Sequence, residues 1–199
     1  MENTTRERIL DAALVSFAEN GYRGANLRDL AASLSLSKSA LYRHFDSKEA
    51  IYAAVIDRME AYYGEHFGSP EALPPIPMSG EELYALTMRM LDFTLHDERV
   101  ILTRRMLLTE QFHEARTREL ATKHFLTGTR AIFAQLFVGM MDGGVLRRDD
   151  PALLAFAYTA PITVLVQQHD REPDRETELL AELERFVRHF IKEYVLSKE

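Results

Sequence analysis

Asn26-Leu27-Arg28-Asp29-Leu30-Ala31-Ala32-Ser33-Leu34-Ser35-Leu36-Ser37-Lys38-Ser39-Ala40-Leu41-Tyr42-Arg43-His44-Phe45 decides how this chain is read. The stretch reads as two short helices joined by a tight turn. Asn26 opens the first, which runs to about Leu34, and Ser37 opens the second, which ends near His44. Both residue types accept a hydrogen bond from the free amides of a helix's first turn. Leu30, Ala31, Leu34, Leu36, Leu41 and Phe45 can close a small core between the two helices, which leaves Ser37, Lys38, Ser39, Tyr42, Arg43 and His44 facing outward. A helix this short buries little surface. Its outward side chains suit phosphate oxygens and the edges of bases, so the stretch is expected to be a DNA-binding helix-turn-helix. An ordinary helical hairpin with a solvated polar face fits the same periodicity.

Upstream, Thr4-x-x-Glu7 is a capping box, and Ile9, Ala13 and Phe17 recur at helical spacing with Leu10 and Leu14 beside them. Asn20-Gly21 supplies the stop. Downstream, Asp46 or Ser47 opens a fourth helix over about 47–63, with Glu49 in its first turn and Ile51, Val55, Met59 and Tyr62 on one face. Gly64 to Gly80 holds Gly68, Pro70, Pro74, Pro75 and Pro77 and is expected to be a loop. Helical patterns then cover Glu81–His96, Glu98–Gln111, one long helix over Ala115–Met141, Pro151–His169 and Glu176–Leu196. Pro151–His169 is apolar almost all round, so it is expected to be buried on several sides and to pack with Glu176–Leu196 across a dimer as a four-helix bundle, with a kink at Pro161. Glu176–Leu196 carries two stripes: Leu179, Leu183, Phe186 and Phe190 on one, Leu180, Val187, Ile191 and Tyr194 on the other. Two stripes imply two packing partners, one in the chain and one in a second copy. No strand pattern and no solenoid-length repeat occurs. The expected fold is all-α with about nine helices, divided into a three-helix head at 1–48 and a helical body at 49–199.

The 199 residues carry a net charge of −7, which argues against a protein that coats nucleic acid without specificity. The local balance is the reverse. Between residues 22 and 48, Arg23, Arg28, Lys38, Arg43 and Lys48 face only Asp29 and Asp46. Cysteine is absent, which excludes disulfides and thiolate metal sites. No apolar run is long enough to span a membrane, and Met1–Arg6 lacks the apolar stretch of a signal peptide, so a cytoplasmic protein is expected.

Arg8-Ile9-Leu10-Asp11-Ala12-Ala13, Phe17-x-x-x-Gly21-Tyr22, Leu30-Ala31, Leu36 to Phe45 and Ser47-Lys48-Glu49-Ala50 follow one another in an order and spacing that closely resembles the N-terminal DNA-binding domain of the TetR family of bacterial repressors. The resemblance covers Thr5 to Met59. It implies a homodimer with two heads, the second short helix of each in a major groove, and a body that binds an inducer and dimerises. By position it implies that Tyr42 and Lys48 contact phosphates, that Ser37 and Lys38 contact phosphates or bases, and that Ser39, Ala40 and His44 face base edges. Asn26 and Arg28 lie on the helix that usually touches the backbone, and Arg43 fits either a contact or a solvated charge. Leu34-Ser35 stands where the family usually has Ala-Gly, so a serine is expected in a left-handed turn at a cost of about 1 kcal/mol.

Enzyme motifs are lacking. Glu110-Gln111-Phe112-His113 is a single E-x-x-H, whereas a di-metal site in a helical bundle needs a second and two further glutamates. No metal and no cofactor is expected. For an apolar ligand in the body, Tyr62, Phe93, Thr94, Thr103, Met106, Phe125, Tyr158 and Thr163 are the candidates. The threonines and Tyr158 are polar groups in apolar stretches, and a ligand is one way to satisfy them. Plain core packing explains the same residues. Leu179, Leu183, Phe186 and Phe190 are the candidates for the dimer interface. The function expected is a transcriptional repressor that binds a palindromic DNA operator as a homodimer and leaves it when a small, largely apolar effector binds. Regulation by a protein partner without an inducer is the alternative, and a metal-dependent bundle enzyme a remote one.

Overall fold

The computed structural model describes residues 4–68, 72–112 and 115–196, with the backbone alone at position 67. Among these the chain forms ten α-helices and, apart from one isolated antiparallel bridge between Leu146 and Val195, no paired strands. It is all-α, as the periodicity predicts.

The chain divides into two compact units: residues 1–66 with 98–121, and residues 67–97 with 122–199. The first holds α1 (Thr5–Gly24), α2 (Leu27–Ser33), α3 (Lys38–Tyr42), most of α4 (Lys48–Phe67), α6 (Glu98–Glu110) and most of α7 (Ala115–Thr122). The unit that contains the head is thus larger than residues 1–48. The starts of α1 to α4 are fixed locally. Thr4 and Glu7 complete the capping box on α1, Asn26 Oδ1 accepts from the Arg28 amide, and Ser37 Oγ accepts from the Ala40 amide. Ser47 Oγ accepts from the Ala50 amide at 3.1 Å, so Ser47 opens α4. Ile9, Leu10, Leu14, Phe17, Leu41, Ile51, Val55, Met59, Val100 and Met106 are buried in this unit.

The second unit packs α5 (Gly80–His96), α8 (Gly128–Asp142), α9 (Pro151–His169) and α10 (Glu176–Tyr194) around one apolar core. Tyr158 lies at its centre, with Phe133, Phe137 and Phe190 at ring-centroid distances of 5.1, 5.5 and 4.6 Å. Its hydroxyl bonds the Thr87 hydroxyl at 2.6 Å, and Thr87 Oγ1 also donates to the Leu83 carbonyl. Burial pushes the Tyr158 phenol above its ordinary range, so the ring stays neutral.

Three sequence expectations change. First, α4 continues through Gly64 to Phe67, and the chain turns only at Gly68, where φ is +77° and a Cβ would meet the Ala72 carbonyl oxygen at 2.6 Å. Second, Ala115–Met141 is two α-helices joined by a π-helical turn at Lys123–Thr127. The Gly128 amide donates to the Lys123 carbonyl, and a Cβ at 128 would lie 2.7 Å from that oxygen, so glycine is what lets the wider turn close. Third, α9 has an exposed apolar face. Leu153, Phe156 and Val164 are 60, 53 and 63% exposed. Pro161 is carried inside the helix, which continues to His169.

Candidate nucleic-acid interface

The turn between α2 and α3 is a Schellman motif built on a serine. The Leu36 amide donates to the Ala31 carbonyl at 2.9 Å and the Ser35 amide to the Ala32 carbonyl at 3.0 Å. These two bonds close the end of α2 only if the residue after the cap is left-handed. Ser35 takes that conformation with φ 57°, alone among the described residues that are not glycine. Leu34 is the cap, half-buried, with φ −96° and ψ 2°. The left-handed serine expected from the sequence is present.

With the turn set, Leu41 and Phe45 are buried, and the remainder of α3 faces out. Lys38, Ser39, Tyr42, Arg43 and His44 are exposed, and Ala40 is half-buried between them. Ser37 Oγ is occupied by its capping bond and by Ser39 Oγ at 2.9 Å. The Lys38 ammonium lies 5.6 Å from the centre of the Tyr42 ring. Asn26 and Arg28 are exposed at the start of α2, where Asn26 also serves as cap. All ten residues singled out from the sequence lie in the first compact unit.

Lys48 is the best-placed cation. Its ammonium sits 4.8 Å from the centre of the Tyr22 ring and donates to the Arg23 carbonyl at 3.4 Å. Tyr22 in turn donates from its hydroxyl to Glu49 Oε1 at 2.6 Å, and this bond is the main reason the Glu49 carboxyl is held below its usual range. A cation so seated keeps its side chain ordered before any phosphate arrives, which lowers the entropic cost of docking. Reading α3 alone misses this platform, and also Arg6, whose guanidinium lies 4.9 Å from the centre of the Phe45 ring. Neither has a local sequence signal, because both depend on α1 packing beside the turn.

The other sequence candidates separate. Of the eight ligand candidates, Tyr62, Thr103 and Met106 belong to the first unit and Phe93, Thr94, Phe125, Tyr158 and Thr163 to the second. The hydroxyls of Thr94, Thr103 and Thr163 donate to the carbonyls of Met90, Arg99 and Thr159 four residues back. Thr87 satisfies Tyr158. A recess in the second unit is lined by Leu91, Leu95, Leu165, His169, Glu176 and Leu180, among others. Leu179, Leu183 and Phe190 are buried in the core of their own chain and Phe186 is half-buried against it, whereas α9 carries an exposed apolar face. Glu110 is buried within the first unit, Phe112 is exposed, and His113 lies outside the described residues. Among the described residues no cluster of three or more histidine, cysteine, aspartate or glutamate side chains could hold a metal ion. No described helix is long and apolar enough to cross a membrane.

Comparison with known proteins agrees with this geometry. Residues 9–55 match the family described as bacterial regulatory proteins, tetR family. The biofilm operon icaADBC HTH-type negative transcriptional regulator IcaR of Staphylococcus aureus is 47% identical over 47 residues, which is 24% of this chain and 25% of IcaR. Its Staphylococcus epidermidis counterpart is 36% identical over 58 residues, 29% of this chain and 31% of that one. The chain thus matches only a quarter to a third of the length of these relatives. Over nearly the whole chain the fold is similar to that of SmeT in its complex with triclosan, with a TM-score of 0.72, 22% identity and coverage of 97% of this chain and 92% of SmeT. Another structure of SmeT, the repressor of the Stenotrophomonas maltophilia multidrug efflux pump SmeDEF, superposes with a TM-score of 0.69 at 21% identity, over 98% of this chain and 92% of that one. From residue 9 to residue 55, this chain carries the helix-turn-helix domain of the bacterial regulatory proteins of the TetR family.

Proposed function

We propose that the protein is a cytoplasmic transcriptional repressor that binds a palindromic operator as a homodimer and is released by a small, largely apolar ligand. The exposed face of α3 carries the reading: a five-residue helix, capped at Ser37, that presents Lys38, Ser39 and Tyr42, with Arg43 and His44 just past its end, beside the seated Lys48. Nothing in the packing of the unit requires that combination. A short helix entering a major groove does.

In this reading Tyr42 and Lys48 fix the docking on phosphates, while Ser37, Lys38, Asn26 and Arg28 hold the backbone around them. Ser39, Ala40 and His44 meet base edges, and Arg43 adds a further cation. Two heads would sit on successive major grooves, about 34–36 Å or a multiple apart. The exposed apolar stripe Leu153, Phe156 and Val164 on α9 supports pairing with a second copy, because an unpaired stripe of that kind is costly in water. A twofold axis would pair α9 with its own counterpart.

Release by a ligand is supported by the fold neighbour SmeT, whose structure is a complex with triclosan. A ligand can act only through different affinities for the DNA-bound and free forms. The test couples two assays: a thermal-shift screen of apolar and aromatic compounds, then a DNA-release assay with any that stabilise the protein. A compound that raises the melting temperature and dissociates the duplex supports the proposal. A compound that binds without weakening DNA affinity would count against it and favour regulation by a protein partner.

A further inference from the structure

Glu110 is the last residue of α6 and is only 6% exposed. Its Oε1 accepts the backbone amide of Tyr22 at 2.9 Å, across 88 residues of sequence. The amide is available because α1 breaks one residue earlier: Gly21 has φ +67° and ψ 170°. After the break, the Ala25 amide donates to the Gly21 carbonyl at 3.1 Å, so Gly21–Ala25 forms one further turn that starts at the Tyr22 amide. Glu110 is therefore a cap supplied from a distant helix. A Cβ at position 21 would lie 2.7 Å from the same carboxylate oxygen, so the glycine serves both the left-handed break and the approach of Glu110.

That single turn is also the platform of Lys48. The Tyr22 ring lies against the Lys48 ammonium, the Tyr22 hydroxyl bonds Glu49, and the Arg23 carbonyl accepts from Lys48. Tyr22 is held on its other side by Phe17 and Tyr52, with ring centroids 6.0 and 5.0 Å away. Tyr52 in turn bonds Thr117 of α7 at 3.0 Å. Every polar contact that seats Lys48 thus passes through a turn whose first amide is held by Glu110.

We propose that Glu110 is a positioning residue for DNA docking: by holding the Gly21–Tyr22 break from the end of α6, it keeps Lys48 seated where a phosphate can be met. This rests on the DNA-binding reading of the head. It gives α6, which the chain enters directly from the second unit at Asp97–Glu98, a mechanical connection to the docking cation that bypasses α3. A displacement of the end of α6 would loosen the turn and release Lys48 without altering the recognition helix.

The experiment compares the full-length protein with Glu110→Ala, Glu110→Gln, Lys48→Ala and the double variant Glu110→Ala/Lys48→Ala. Binding to a labelled mixed-sequence duplex is followed across a salt series, and Tyr22 amide exchange is followed in the free protein. All measurements are made where circular dichroism shows native helix content. A hydrogen bond to a buried carboxylate is strong enough that Glu110→Ala should speed exchange of the Tyr22 amide by roughly tenfold to a hundredfold. The salt slope should fall by about 0.9, as for one lost phosphate contact, and by the same amount in Lys48→Ala. The double variant should match Lys48→Ala alone, because the two side chains act on one contact. Glu110→Gln, which keeps an acceptor oxygen, should recover most of the slope and remains informative if Glu110→Ala does not fold. A Glu110→Ala protein with faster Tyr22 exchange but a wild-type slope overturns the positioning role and leaves DNA binding intact, as does a Glu110→Gln protein that loses the slope although its Tyr22 exchange is unchanged. So does a double variant whose losses add. A wild-type protein that shows no salt-dependent binding overturns the DNA reading, and this proposal with it.

Discussion

Replacing Ser35 by glycine should stabilise the unit that contains the head. Ser35 holds φ 57° because the Schellman bonds from Leu36 to Ala31 and from Ser35 to Ala32 leave it no other conformation. A residue with a Cβ pays about 1–2 kcal/mol in that region. Glycine removes this cost but widens the unfolded ensemble, which takes back about 0.4–1 kcal/mol. The net gain is about 0.5–1 kcal/mol. Ser35 is exposed, so little side-chain packing offsets it. An m-value of about 2 kcal/mol/M turns this into a urea midpoint shift of roughly 0.2–0.5 M, followed by circular dichroism and by a probe within the first unit. Ser35→Ala keeps the Cβ and should leave the midpoint nearly unchanged. A lower midpoint in Ser35→Gly would refute the reasoning. So would an equal rise in Ser35→Ala, since the effect would then belong to the hydroxyl and not to the backbone.

Three other outcomes follow from the packing. Tyr158→Phe removes the 2.6 Å bond to Thr87 but leaves Thr87 its bond to Leu83, so equilibrium unfolding should show a loss of about 1 kcal/mol, against about 3–5 kcal/mol for Tyr158→Ala; equal losses would contradict this. Phe156→Glu should turn a dimer into a folded monomer by light scattering, whereas Leu183→Glu, fully buried in the second unit, should unfold it; a Phe156→Glu dimer would remove α9 from the interface. His96 bonds Asp92 at 2.9 Å and Glu176 at 3.2 Å, and Glu176 also bonds His169 at 3.1 Å. The bonds from Asp92 first and then Glu176 raise the pKa of His96, and those from His169 and His96 lower that of Glu176. The His96 contribution is therefore full below about pH 6.5 and fades as pH rises through its raised folded value. That of Glu176 is present above about pH 4.3 and fades as pH falls through its lowered one. The difference in melting temperature between the wild type and His96→Gln should be largest near pH 5–6 and shrink towards pH 8; a difference independent of pH would sink the assignment.

The head was legible in the sequence because its signals are local. Thr4 with Glu7, Asn26, Ser37 and Ser47 each make their capping bonds within three residues, so residue type and spacing alone place the starts of α1 to α4. The left-handed Ser35 was legible for the same reason once the turn was recognised. Non-local choices were not. Periodicity shows that α10 has two apolar stripes but not which neighbour covers each; Leu179, Leu183 and Phe190 face their own chain. An apolar run over 115–141 looks the same whether or not a π turn interrupts it. A threonine in an apolar stretch looks the same whether it faces a pocket or bonds a carbonyl four residues back, as Thr94, Thr103 and Thr163 do. In the sequence Glu110 is only part of an E-x-x-H; its bond to the Tyr22 amide, 88 residues away, has no local signal.

A DNA-docking surface made of α3 and the seated Lys48 must bind a duplex through its phosphates. The most direct test is a fluorescence-anisotropy titration of the protein with a duplex carrying an inverted repeat from the DNA beside its own gene, repeated across a salt series. The logarithm of the affinity should fall linearly with the logarithm of salt concentration. Lys48→Ala should weaken binding and reduce the slope by about 0.9, and Tyr42→Phe should weaken binding by the loss of its hydroxyl contact. Affinity that does not depend on salt, or that survives both substitutions unchanged, would contradict it.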